Sequence, residues 1–194
     1  MKKLFLTLSA AIAVTFAANA QTEKGKTILG GNVSYDYTKV KDDDGSLQGF
    51  SVLPSVGVFV SDNLAVGLGF GYTWNQEDDG TDKTKVGEFS AAPYARLYKG
   101  DGNFKFFGQL SVPMGWGTSK ENDTKLGNTE RYGAELSPGF AYFPTSKIGI
   151  EFSVRGLYYQ NTSLKLEGGE KVSTNSFGLN ANSLAPRIGI QFYF

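Results

Sequence analysis

Seven charged side chains hold whatever chemistry this sequence has. Glu88, Arg96, Glu135, Glu151, Arg155 and Arg187 fall among the small and polar residues of segments in which apolar and polar positions alternate. Arg131 falls in the same phase. Carboxylates set beside guanidinium groups in a shared interior could move protons or line an ion path. Held away from water, the same groups would neutralise one another in a hydrogen-bonded network, because an unpaired buried charge is costly. The residues favour the second reading. The chain has no His and no Cys, which removes the commonest general base and metal ligand and all thiol and disulfide chemistry. A Ser–Lys or paired-Asp mechanism stays formally open, yet no motif supports it. We therefore expect no catalytic residue, no cofactor and no metal site.

Two acidic runs, Asp42-Asp43-Asp44-Gly45 and Glu77-Asp78-Asp79-Gly80-Thr81-Asp82, offer the hard oxygen ligands that calcium takes. Neither has the twelve-residue spacing of a calcium-binding loop, and solvated loop tips are the plainer reading. Asn122-Asp123-Thr124 and Asn161-Thr162-Ser163 match glycosylation sequons, a short pattern that also occurs by chance.

The elements that position the charges are strands, read from period-two alternation. Eight segments are expected, at about residues 27–38, 48–60, 64–75, 86–98, 104–118, 130–143, 147–160 and 176–194. The third is the cleanest: Leu64, Val66, Leu68, Phe70, Tyr72 and Trp74 alternate with Ala65, Gly67, Gly69, Gly71 and Thr73. In the seventh, Ile148, Ile150, Phe152, Val154 and Tyr158 share the apolar face. Connections alternate in length. Those at 61–63, 99–103 and 144–146 are short, whereas those at 40–47, 76–85, 119–129 and 161–175 are long and polar.

A soluble β-sandwich also alternates, but it buries its inner faces and needs them apolar. Here the faces opposite the aliphatics hold Gly, Ser, Asn and charges. The apolar faces end in aromatics, with Tyr35, Tyr37, Tyr72, Trp74, Trp116, Tyr132 and Tyr158 toward the long loops and Phe106, Tyr142, Phe192 and Phe194 toward the short turns. Short turns at one end, long loops at the other and two aromatic girdles are the pattern of a transmembrane β-barrel. The expected fold is thus all-β, an eight-stranded antiparallel up-and-down transmembrane β-barrel. Pro54, Pro93, Pro138 and Pro186 recur once per hairpin on the apolar face, and Pro113 falls on the inner one. Proline donates no ladder bond, so a bulge or a missing bond is expected at that height.

The chain ends complete the outline. Lys2 and Lys3, an apolar run from Leu4 to Ala18 and the small-x-small triplet Ala18-Asn19-Ala20 read as a secretory signal peptide, residues 1–20, cleaved to leave residues 21–194 as one barrel domain. The run is too short to span a bilayer. The 19 basic and 19 acidic residues balance. Loss of Lys2 and Lys3 leaves the mature chain slightly acidic, with no nucleic-acid signature. At the other end Ile188, Ile190, Phe192 and Phe194 alternate with Gly189, Gln191 and Tyr193.

On these features the whole mature chain resembles the small eight-stranded bacterial outer-membrane barrels, the OmpA transmembrane domain and OmpX type, within the outer membrane protein beta-barrel domain group. The residues concerned are Ala18-Asn19-Ala20, stretches such as Leu64-Ala65-Val66-Gly67-Leu68 and Ala92-Pro93-Tyr94-Ala95-Arg96-Leu97-Tyr98, and the terminal Phe194. The resemblance implies a monomer in contact with outer-membrane lipid and lipopolysaccharide, with both mature termini in the periplasm. It also implies recognition by the barrel-assembly machinery through Phe192 and Phe194. An eight-stranded barrel is just wide enough for side chains to fill, so Glu88, Arg96, Glu135, Glu151, Arg155 and Arg187 are expected to plug it. The expected role is non-catalytic, in envelope structure or surface contact through the long loops. A narrow transporter of small or apolar solutes is the alternative.

Overall fold

The computed structural model describes residues 22–39, 45–179 and 186–194. The proposed signal peptide and Asp42, Asp43 and Asp44 lie outside them. Eleven strand segments follow in order: β1 (Thr27–Lys39), β2 (Ser46–Ser61), β3 (Leu64–Asp78), β4 (Lys83–Lys99), β5 (Phe104–Ser111), β6 (Met114–Glu121), β7 (Thr124–Thr145), β8 (Ile148–Val154), β9 (Leu157–Leu166), β10 (Lys171–Gly178) and β11 (Pro186–Tyr193). They form eight staves, because β5 continues into β6 and β8 into β9, and β10 and β11 lie in turn beside β9 and β8. Every pairing is antiparallel, and β11 returns to β1 to close the barrel. Thr27 and Phe194 exchange both backbone hydrogen bonds at 2.8 and 2.9 Å.

Closure leaves the aliphatics nowhere to go but outward. Val66, Leu68, Phe70, Leu97, Phe106, Leu110 and Ile150 are all exposed on the outer wall, where lipid replaces a protein core. Near the short turns Phe104 stacks on Phe140 and Phe140 on Phe152, each at 5.1 Å, while toward the other end Trp116 meets Tyr132 edge-on at 6.3 Å. These outward rings form the two girdles.

Ladder interruptions fall beside Pro54, Pro93 and Pro138, whereas Pro186 pairs in register with Val154. The β2–β3 ladder runs to Val52↔Tyr72 and resumes at Ser55↔Gly69, skipping Leu53 and Pro54. Beside Pro93, β4 passes from β5 to β6 across Val112 and Pro113 without a change of register. Beside Pro138 there is a true bulge. The β7 partners run Leu136↔Leu157, then Gly139↔Ser153, so Ser137 and Pro138 face Val154, Arg155 and Gly156. Gly156 takes φ +68°, and a Cβ there would lie 2.3 Å from the Leu136 carbonyl oxygen. The extra residue reverses the alternation beyond it. Tyr158 therefore pairs with inward Glu135 and turns into the barrel, while Leu157 and Tyr159 face out. This corrects the outward placement of Tyr158.

The connections at 76–85, 119–129 and 161–175 are not long loops. β3 and β4 stay paired to Asp78↔Lys83, β6 and β7 to Glu121↔Thr124, and β9 and β10 to Lys171↔Lys165. The β6–β7 turn is two residues, Asn122 and Asp123, at φ +47° and +67°, the left-handed pair that a tight hairpin requires. The expected final strand, 176–194, likewise begins earlier, at Lys171, and is described as two segments.

The short-turn end is sealed from within. Ile28, Phe59, Phe107, Phe143, Tyr98 and Tyr193 form a buried cluster across the base, and burying each large side chain is worth about 1.5–3 kcal/mol. Below it Thr22 folds against the barrel. The Lys105 ammonium donates to Thr22 Oγ1 at 2.7 Å, and the Asn63 amide donates to the Thr22 carbonyl at 2.7 Å.

Candidate functional site

Above this floor the inward charges gather in three clusters. In the lowest, Arg96 on β4 reaches Glu151 on β8, three staves away. Its Nη1 donates to both carboxylate oxygens at 2.8 Å, and its Nε donates to Gln109 Oε1 at 2.9 Å. Tyr193 donates its hydroxyl to Glu151 Oε1 at 2.5 Å and lies 2.8 Å from the Tyr98 hydroxyl, which itself accepts from Arg96 at 2.9 Å. Beneath, the Arg96 guanidinium sits 4.4 Å over the Phe107 ring, a cation–π contact made in a dry site. Among the described residues no buried side-chain polar atom of this layer lacks a partner, which is what makes buried charge tolerable.

The middle cluster centres on Glu135. Arg155 Nε donates to one carboxylate oxygen at 3.0 Å, Arg187 Nη1 to the other at 2.8 Å, and Ser137 adds a third bond at 2.8 Å. The bulge aims Arg155 here, and its guanidinium lies 3.8 Å over the inward-turned Tyr158 ring. Two cations thus share one carboxylate. Nearest the hairpin end, Arg131 on β7 bonds Glu88 on β4, while the Arg131 Nε is buried without a partner among the described residues.

The structure thus brings together each inward charge named from the sequence, in three sets: Arg96 with Glu151; Arg155 and Arg187 with Glu135; Arg131 with Glu88. Sequence reasoning missed Tyr98, Tyr193, Gln109, Ser137 and Tyr158. The first four lie in the inward phase and could have been found by following it. Glycines make the room. A Cβ at Gly67 would strike the Tyr94 ring, and one at Gly115 would meet the Glu88 carboxylate. Phe192 and Phe194 stack 6.5 Å apart at the closing strand. Between the clusters lies a cavity of about 520 Å³ whose walls include Arg96, Glu135, Arg155 and Arg187.

At the hairpin end three carboxylates of the acidic run 77–82, those of Asp78, Asp79 and Asp82, are engaged. Asp78 pairs with Lys83 at 3.0 Å, and Asp79 accepts from the amides of Thr81 and Asp82 at 2.9 and 2.7 Å. These bonds hold the Asp79 carboxyl below the usual aspartate value of 3.8. Among the described residues no cluster of three or more acidic groups is placed to hold a metal ion.

A family model described as outer membrane protein beta-barrel domain matches residues 6–183. No curated protein sequence matches. Among solved structures the chain is similar to the outer membrane protein OprG from Pseudomonas aeruginosa, with 14% identity, 89% of this chain and 97% of that chain covered, and a TM-score of 0.52. Neisserial surface protein A also aligns, with 14% identity, 88% and 98% covered, and a TM-score of 0.48. Closed antiparallel pairing, an apolar outer wall and a polar, plugged interior agree with the sequence match: the chain belongs to the outer membrane protein beta-barrel domain family.

Proposed function

We propose that this is a non-catalytic outer-membrane barrel whose working surface is its hairpin end, facing outward from the cell, with the base and both mature termini in the periplasm. The observation that carries this reading is the bracing of the hairpins. Lys85 reaches Asp123 at the next turn (2.7 Å), Lys125 reaches Glu167 (2.8 Å), and Lys171 reaches Glu130 (2.7 Å). Each exposed pair contributes little to stability. Together they set a charged platform on ladders that continue to the last turn, and a rigid scaffold presenting polar tips suits surface contact. Lipopolysaccharide is the neighbour this platform would meet first, and the assembly machinery would read Phe192 and Phe194. The inward carboxylates are engaged with arginines rather than converging on an open substrate site, which favours a non-catalytic role.

Passage along the axis is the alternative, and the floor of Phe59, Phe107, Phe143 and Tyr193 argues against it. Two experiments test the reading. An Asp123→Cys variant, in a protein with no other thiol, should label with an impermeant maleimide on intact cells; protection until lysis would overturn the orientation. Purified protein in planar bilayers should show no stepwise conductance, and steady channels would replace surface contact with transport.

A further inference from the structure

The wall of the barrel is not uniform. β11 pairs with β1 only from Ile28↔Tyr193 to Gly31↔Ile190, although β11 itself runs back to Pro186 and stays paired with β8 over that whole length. Among the described residues, Pro186–Gly189 and Asn32–Tyr35 therefore lie along the same seam without a shared ladder. Val33 is 71% and Ile188 70% exposed. The mid-barrel cavity reaches this seam, since Gly31, Asn32, Ile188 and Gly189 all line it. A cavity inside the membrane that opens through its side wall faces acyl chains, not bulk water.

The cavity has two chemical sides. Leu53, Pro54, Ala92, Pro113 and Met114, where the prolines interrupt the ladders, make one side apolar. The opposite side holds Arg155 and Arg187 around the single carboxylate of Glu135, so a positive charge is left over. Arg187 makes one hydrogen bond among the described residues, to Glu135. Its side chain is half exposed, and a guanidinium has five donors. Among the described residues the other ion pairs inside the barrel, Arg96 with Glu151 and Arg131 with Glu88, are one-to-one and add no net charge.

We infer that this cavity binds the head of a single-chain anionic amphiphile with a carboxylate group, held by Arg187, with the alkyl tail leaving through the β1–β11 seam into the bilayer. The planar guanidinium matches a carboxylate with two parallel bonds. The seam supplies a path for a tail that cannot lie in a charged lumen. This goes beyond surface contact at the hairpin end and does not depend on it.

The test uses full-length protein refolded into phosphatidylcholine nanodiscs, with empty nanodiscs subtracting partition into lipid. The probes are radiolabelled dodecanoate, dodecanol and acetate. Saturable dodecanoate binding is expected, with dodecanol and acetate each at least about tenfold weaker. R187Q should weaken dodecanoate about tenfold or more, as expected for loss of a charged hydrogen bond, and leave dodecanol unchanged. Arg187→Lys should restore part of the affinity. Gly189→Leu provides a second variant that spares Arg187. A Cβ there meets nothing nearer than 3.6 Å, so the fold is kept, and the leucine should fill the cavity and abolish binding. Equal binding by R187Q or by Gly189→Leu would overturn the site. Acetate binding as tightly as dodecanoate would show a water-fed anion site instead of a lateral one.

Discussion

Arg96 and Glu151 are 55 residues apart in sequence and form an ion pair inside the barrel, with one guanidinium nitrogen 2.8 Å from both carboxylate oxygens. Their side chains are only 11% and 6% exposed. The pair therefore ties β4 to β8 across the lumen and is the most buried ion pair among the described residues. Removing one partner leaves the other charge buried. Glu151→Ala should destabilise the barrel by about 3–5 kcal/mol, whereas the double variant Arg96→Met with Glu151→Leu should recover most of that loss. Urea unfolding followed by heat-modifiable gel migration measures both. A single variant as stable as the wild type would show the link to be idle.

Tyr193 supports the same layer with its hydroxyl alone, because its ring is held by Phe143 at 4.9 Å. Tyr193→Phe keeps the ring and deletes the bonds to Glu151 and Tyr98. A loss of about 1.5–3 kcal/mol is expected, the range for a bond to a charged acceptor, with unchanged migration of the folded form.

Gly156 fixes the bulge that aims Arg155. Gly156→Ala places a side chain in left-handed backbone, which costs about 1–2 kcal/mol, and against the Leu136 carbonyl oxygen. Stability should fall by at least that amount. If the variant folds with undiminished stability, the bulge is not needed to seat Arg155 on Glu135.

The β3–β4 tip should be sensitive to acid only at low pH. Its Asp79 carboxylate is stabilised by the Thr81 and Asp82 amides, so its folded value lies below 3.8. A lowered value means the contribution is complete above the ordinary carboxylate range and is lost as pH falls through the folded value. Amide signals of Thr81 and Asp82 should stay fixed from neutral pH down to the ordinary range and broaden beneath it. Asp79→Asn, whose side chain keeps an acceptor oxygen, should remove that pH dependence.

Deletion of Phe194 tests the terminal residues. Phe194 supplies the backbone bonds to Thr27 as well as the aromatic end, so assembly in cells should fall sharply. Phe194→Leu keeps the backbone bonds and removes the ring. It separates ladder closure from recognition: refolding in detergent should be normal and assembly in cells impaired.

The sequence showed the strands wherever lipid acts on one face and not on the other. Leu64 to Trp74 alternates cleanly because Leu, Val and Phe face acyl chains while glycines face the lumen. Beyond Asn75 both faces meet water, nothing enforces period two, and residues such as Gln76 and Lys85 read as loop although their ladder continues. The bulge at Gly156 was hidden for a different reason. An extra residue leaves composition unchanged, so Arg155 and Tyr158 looked regular. Only the pairing of Leu136 with Leu157 and of Gly139 with Ser153 exposes it. The charged residues of the plug were legible as a set because polar residues at inward phase have no other use. Their partnering was not, since sequence spacing holds no information on which staves a chord joins.

The return of β11 to β1 also has a kinetic consequence. The joined edges come from opposite ends of the strand order, so no partial set of neighbouring hairpins can seal itself. Every intermediate before that step is an open sheet with two bare edges, the form most prone to pair with another chain. Folding should then be limited by one late, long-range encounter. Among the described residues, that closure rests on four β1–β11 residue pairs and the Thr27–Phe194 bonds beyond them, so the encounter is also the step most easily reversed.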